Sequence, residues 1–165
     1  MSHDPPAALT LLFTDIENSS ALWDRDPAAM RVALQLHDQV LREVAARHGG
    51  HVFFSGGDGF GIAFESASAA VRAARDGQVE LAASAWPETT PLAVRMGVHT
   101  GHVEQRDGNV FGSTVNRAAR VSDAGHGGQI LLSGVTAALV HADIEVVDQG
   151  SFELRGLREP ERLWW

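Results

Sequence analysis

The chain has 165 residues, 44% of them hydrophobic, enough to bury one core and short for two. A single domain over residues 1–165, with its core at about 8–163, is therefore expected. The 13 Lys and Arg stand against 21 Asp and Glu, and the net charge of −8 opposes non-specific attraction to nucleic acid or anionic lipid. Cysteine is absent, which rules out disulfides and thiolate metal sites. No apolar run approaches the ~18 residues of a membrane span, and Met1 to Pro6 lacks the basic and apolar regions of a signal peptide. The expectation is a cytoplasmic protein with no membrane segment in this chain.

In chain order, "ALTLLFTD" (Ala8 to Asp15) is apolar and β-branched and reads as a strand buried on both faces. It breaks into "IENSSALWDRDP". From Pro27 to His48, Met30, Ala33, Leu34, Val40, Leu41, Val44 and Ala45 follow a helical spacing that Gly49-Gly50 closes. "HVFFSGGDGFGIAFES" (His51 to Ser66) places two apolar runs around Gly56-Gly57-Asp58-Gly59, the pattern of a β-hairpin with a carboxylate at its tip. An alanine-rich helix follows, capped by Ser66 or Ser68, interrupted by Gly77 and ended by Pro87.

Beyond Pro91, "LAVRMGVHTGHVEQ" alternates as a strand or hairpin and "RDGN" is a turn. "GSTVNRAARVSDA" has helical spacing, "GQILLS" is a short strand and "GVTAALV" a short helix. Ile144 to Trp165 reads as two or three short strands around Gly150 and Gly156. The order β, α, β, β, α, β with C-terminal additions predicts an α+β fold of the ferredoxin-like split βαβ plan.

That plan sets the first strand beside the hairpin, bringing Asp15 towards Asp58. Asp-Gly is also an ordinary turn pair, so the turn alone does not assign Asp58 a role. Two carboxylates at close range repel unless a cation lies between them, and oxygen ligands suit Mg²⁺ or Mn²⁺. Pairs of such ions about 3.5–4 Å apart serve phosphoryl transfer. Directly after Asp15, "IENSS" enters a helical region whose free backbone N–H groups suit phosphate oxygens. A second set lies in "FGSTVNRAAR": Asn116 and Arg120, four apart, share a helix face, while Arg117 points elsewhere. An arginine fork suits phosphate, and an asparagine amide suits a sugar oxygen. Asn116 is also a poor helix former set among Val115, Ala118 and Ala119.

"LLFTDIENSS", "GGDGFGIAF", "VRMGVHTG" and "FGSTVNRAAR" occur in the order and spacing of the catalytic domain of class III adenylyl and guanylyl cyclases. The chain resembles in particular the mycobacterial and actinobacterial branch, from about Thr10 to Leu163. The resemblance implies a homodimer with shared active sites, in which two metal ions, Mg²⁺ or Mn²⁺, serve the conversion of ATP to 3′,5′-cyclic AMP and pyrophosphate. It places the metal-binding aspartates on Asp15 and Asp58, with the Ile16 carbonyl as a further ligand. It places the catalytic asparagine and arginine on Asn116 and Arg120, and phosphate-binding arginines on Arg95 and, by a looser alignment, Arg155. Glu17, Asn18, Ser19 and Ser20 then fall beside the phosphates, Glu17 offering only its backbone N–H.

Both base-binding positions depart from the adenine-specific pattern. Phe54 stands where such members carry Lys, and Asn109 where they carry Asp. A Lys and Asp pair reads the N1 and N6 edge of adenine. Phe54 only packs or stacks, and Asn109 both donates and accepts, so GTP stays open beside ATP. The alternatives are a cyclase-like domain that binds nucleotide or dimerises without turnover, and a diguanylate cyclase. "GGDGF" speaks against the latter, because Gly59 stands where an acid is needed. His37, His48, His51, His99, His102, His126 and His141 show no paired zinc spacing. Trp23 and Phe53 read as core, Trp164 and Trp165 as a closing strand, and Glu43 as solvated.

Overall fold

The structure, a computed structural model, describes residues 7–165; the reading of Met1 to Pro6 lies outside them. Strand β1 (Ala7–Ile16) leads into helices α1 (Ser19–Arg25) and α2 (Pro27–Arg47), then into the hairpin of β2 (His51–Gly56) and β3 (Gly59–Phe64). Helix α3 (Ala67–Ala82) crosses to β4 (Val94–Arg106), whose far end turns into β5 (Asn109–Phe111). Helix α4 (Ser113–Asp123), β6 (Ile130–Ser133), α5 (Gly134–Val140), β7 (Asp148–Phe152) and β8 (Glu161–Trp164) complete the chain.

The sheet runs β2-β3-β1-β4-β6-β8-β7, with β5 paired to β4. β1 is antiparallel to both β3 and β4, and β6 joins β4 in parallel. The first four of these strands and their crossover helices form the ferredoxin-like split βαβ unit expected from the sequence.

Side-chain alternation divides the sheet into two faces. Leu12, Ile16, Phe60, Ile62, Phe64, Val94, Met96 and Val98 point into the main core beneath α2 and α3. Leu9, Leu11, Ala63 and Val103 point to the opposite face, where Ala118 of α4 covers them. Asp15, Arg95 and His99 fall on this second face by parity, so the chemistry lies on the α4 side. α4 approaches β4 at Gly97, where a Cβ would lie 2.2 Å from the Ser122 backbone nitrogen. No larger residue lets the helix sit so close.

Four sequence expectations need correction or completion. The segment after Asn18 is a separate helix: Asp26 leaves helical geometry (φ −154°, ψ 86°) and its Oδ1 accepts from the Ala29 N–H at 3.1 Å, starting α2 with Pro27 in its first turn. α3 stops at Ala82, short of Pro87, because the Ser84 hydroxyl and the Trp86 indole N–H take the Glu80 and Leu81 carbonyls at 2.8 and 2.9 Å. Ser66 is its cap, accepting from the Ala69 N–H. Gly77 sits within α3 where the helix packs closely on β4, a Cβ there lying 3.3 Å from the Met96 methyl. Of the two readings of 92–105, strand or hairpin, the structure shows one strand of 13 residues, Val94–Arg106, whose Val94, Met96 and Val98 fill the main core while Gly97 clears the helix. The C-terminal segment contains two strands, β7 and β8.

Candidate active site

The carboxylate pair forms as the topology requires. Asp15 is in register with Gly59 across β1 and β3, and the Ile16 N–H donates to the Asp58 carbonyl at 3.1 Å, fixing the hairpin tip against the end of β1. The Asp58 Oδ2 accepts from the Ser19 hydroxyl at 2.7 Å. Asp15 is a register partner of Arg95 across β1 and β4, and its Oδ2 accepts from the Arg95 guanidinium. Both carboxylates line a cleft of about 450 Å³ with Ala119, Ser122 and Asp123 of α4 on its far side. Burial and the adjacent Asp58 carboxylate raise the Asp15 carboxyl above its ordinary range, outweighing the Arg95 charge.

Residues fitted to a hard divalent cation show this character: oxygen donors only, two carboxylates crowded until one resists ionisation, and a neighbouring strand-end carbonyl. Asp15, Asp58 and the Ile16 carbonyl fit Mg²⁺ or Mn²⁺ on those grounds. Among the described residues no three or more His, Cys, Asp or Glu side chains cluster as a metal site, the cleft of Asp15 and Asp58 included.

The segment after Ile16 corrects one expectation. The Glu17 N–H donates to the Ala93 carbonyl at 2.8 Å and is not free for a phosphate. Asn18 adopts left-handed geometry (φ 56°, ψ 36°), turning the chain so that Ser19 reaches Asp58 while Asn18 and Ser20 stay exposed. Ser19 thus supports a carboxylate through its hydroxyl.

The second set gathers on and beyond α4. Asn116, Arg120 and Arg155 line one cavity of about 580 Å³ with His99. Arg120 leans towards Asp123 at 3.6 Å. Arg117 pairs with Glu161 at 3.3 Å but lines the same cavity, so the expectation that it points elsewhere is corrected. Phe54 and Asn109 share a third cavity, of about 340 Å³, with Phe53, Phe111 and Asn116. A bulge between Val52 and Phe54 turns the adjacent phenylalanines to the same face. Phe53 meets Phe13 edge to face at 5.8 Å, while Phe54 stays 51% exposed. Asn109 enters through the turn at Asp107 and Gly108, both at positive φ.

Asn116 therefore stands where an aromatic cavity meets an arginine-lined one. Asp15 and Asp58 of the same chain line a different cleft, which adjoins the aromatic cavity through Phe13, Phe54 and Ala119 and includes none of Asn116, Arg120 and Arg155.

His99 is a feature the sequence did not single out. Its Nδ1 pairs with the Ser133 hydroxyl at 2.7 Å, and hydroxyl contacts continue through Thr136 and Thr100 to Thr10. Burial, with a smaller effect of the Arg117 charge, pushes the imidazole down to about 4. His37, fully buried, is also lowered by burial, against the opposing pull of Asp38. A depressed histidine contributes stability that is present above the unfolded value near 6.5 and is lost as pH falls towards the folded value. Asp15, raised, acts in the opposite sense. Urea unfolding at pH 7.5 and 4.5 is expected to show a loss that shrinks by about 2 kcal/mol in His99→Asn; equal losses in both proteins exclude His99 as the source.

The ferredoxin-like domain thus presents a strand-end carboxylate beside a hairpin-tip one, and a cavity lined by asparagine and arginines. The chain matches the adenylate and guanylate cyclase catalytic domain over residues 1–165. It is 40% identical over 163 residues to an uncharacterized protein of Mycobacterium tuberculosis, covering 95% of this chain and 55% of that protein. It is 33% identical over 202 residues to a receptor-type adenylate cyclase of Trypanosoma congolense, covering 94% of this chain and 27% of that protein. A solved adenylate cyclase from Trypanosoma brucei in its monomeric state superposes with a TM-score of 0.88 at 27% identity, covering 99% of this chain and 89% of that one. The chain belongs to the class III adenylate and guanylate cyclase catalytic-domain family. It spans about half the length of its mycobacterial relative.

Proposed function

We propose that the chain is an adenylate cyclase working as a head-to-tail homodimer, converting ATP to 3′,5′-cyclic AMP and pyrophosphate. The observation that carries this is the order of groups about Asn116: Phe54 and Asn109 on one side, Arg120 and Arg155 on the other. A nucleoside triphosphate has the same order of base, sugar and phosphates. Because the cleft of Asp15 and Asp58 includes none of Asn116, Arg120 and Arg155 of its own chain, a complete site takes the carboxylates from one chain and the Asn116 set from the other.

In this site Phe54 stacks on the base and Asn109 addresses its edge. The Asn116 amide orients the ribose, so that the 3′-oxygen attacks the α-phosphorus in line as the bond to the β-phosphate oxygen breaks. The Arg120 fork meets the charge that develops on the α-phosphoryl oxygens. Arg95 and Arg155 hold the outgoing pyrophosphate, with the backbone N–H groups of Asn18, Ser19 and Ser20 beside it. Two Mg²⁺ or Mn²⁺ ions bound by Asp15, Asp58 and the Ile16 carbonyl would polarise the 3′-hydroxyl and neutralise phosphate charge.

Purified protein at high concentration, given ATP and GTP separately with Mn²⁺ or Mg²⁺, is expected to form metal-dependent cyclic AMP. No product from a folded dimer with either nucleotide would favour the non-catalytic nucleotide-binding reading. Phe54→Lys with Asn109→Asp restores a donor and acceptor pair in one cavity and is expected to raise the ATP to GTP ratio about tenfold or more. An unchanged ratio removes these side chains from base selection.

A further inference from the structure

Arg95 meets Asp15 within the cleft that would take a cation. The contact is set by the backbone, since the two residues are register partners across adjacent strands. Each side chain is only 26% exposed, and the Arg95 Nε is buried without an acceptor. Asp58 is held separately by Ser19. The guanidinium therefore occupies one of the Asp15 carboxylate oxygens, and its positive charge opposes that of an incoming cation.

We propose that Arg95 is an internal counter-ion, holding Asp15 until a triphosphate takes it over, so that divalent cation and nucleotide enter together and cation alone binds weakly. This deepens the cyclase reading and rests on it. A triphosphate offers the guanidinium several anionic oxygens in place of one carboxylate contact, and it also serves the orphaned Nε. Transfer of Arg95 frees the Asp15 Oδ2. By linkage, each ligand then strengthens the other. Arg95 is thus a positioning residue for Asp15 before it touches a phosphate.

The test is Mn²⁺ titration without nucleotide, read from the electron paramagnetic resonance signal of free Mn²⁺, on wild type, Asp15→Asn, Arg95→Gln, Arg95→Met, Arg95→Lys and Arg95→Gln/Asp15→Asn. Near-ultraviolet circular dichroism checks that each is folded, and the Met variant stands in if Gln is not accommodated. Removing the positive charge is expected to tighten Mn²⁺ binding about tenfold. Arg95→Lys keeps a cation and should stay near wild type, and the double variant should lose the gain. A purely structural role for Arg95 predicts no gain. Equal or weaker binding by the folded Gln or Met variant overturns the counter-ion role, and the metal reading still stands if wild-type binding depends on Asp15. Binding indifferent to Asp15→Asn overturns both.

Discussion

Asp58→Ala is expected to lower metal-dependent cyclic AMP formation by about a thousandfold or more while leaving the fold intact. The two effects separate because Asp58 holds the structure through its backbone and would serve chemistry through its side chain. The Ile16 N–H bonds to the Asp58 carbonyl, which survives the substitution, as does the β2–β3 pairing up to Gly56 and Gly59. The side chain loses one hydrogen bond from Ser19, worth about 1 kcal/mol, and relief of its repulsion with Asp15 offsets part of that. Thermal melts within a few degrees of wild type, together with an assay in Mn²⁺, check both halves. Activity within about tenfold of wild type would remove the carboxylate pair from the mechanism.

The sequence carried the parts of this site that depend on local period and topology. The apolar, β-branched run "ALTLLFTD" and the glycines of "GGDG" read as a strand and a hairpin, and the split βαβ plan then makes Asp15 and Asp58 neighbours. Helical spacing alone aims Asn116 and Arg120 into one cavity, but it does not keep Arg117 out of it. What escaped depends on register or distant partners. Arg95 lies on Asp15 because β1 and β4 pair at that step, and a slip of one residue would turn one of them to the opposite face.

His99 gains its environment from Ser133 and Thr136, more than 30 residues further on. The start of α2 at Pro27 was legible, whereas the extent of the seven-residue α1 was not, and the Asp26 capping bond that parts the two helices is visible only in three dimensions. Glu17 was expected to offer a free N–H, and it does not because the strand-end pairing continues one residue past Ile16, to Ala93. In each case the residue type was suggestive and the partner was not.

The other large effect is a recovery. Asp58→Ala and Arg120→Ala chains, each inactive alone, are expected to regain about a quarter of wild-type turnover when mixed in equal amounts. With random exchange, about half the dimers carry one chain of each kind, and in each of these one of the two shared sites is intact. The geometry requires this outcome if turnover occurs between chains: the Asp58 cleft includes none of Asn116, Arg120 and Arg155. Arg120→Ala should leave the fold sound, since the side chain is 39% exposed and its partner, Asp123 at 3.6 Å, is half exposed, a surface pair worth at most about 1 kcal/mol. Turnover is read against protein concentration after co-refolding, so that exchange does not limit the result. Recovery near a quarter supports sites shared between two chains. No recovery from mixed dimers shown to have formed would mean that each site is built within one chain, and the division between the Asp58 cleft and the Arg120 cavity would then need another explanation.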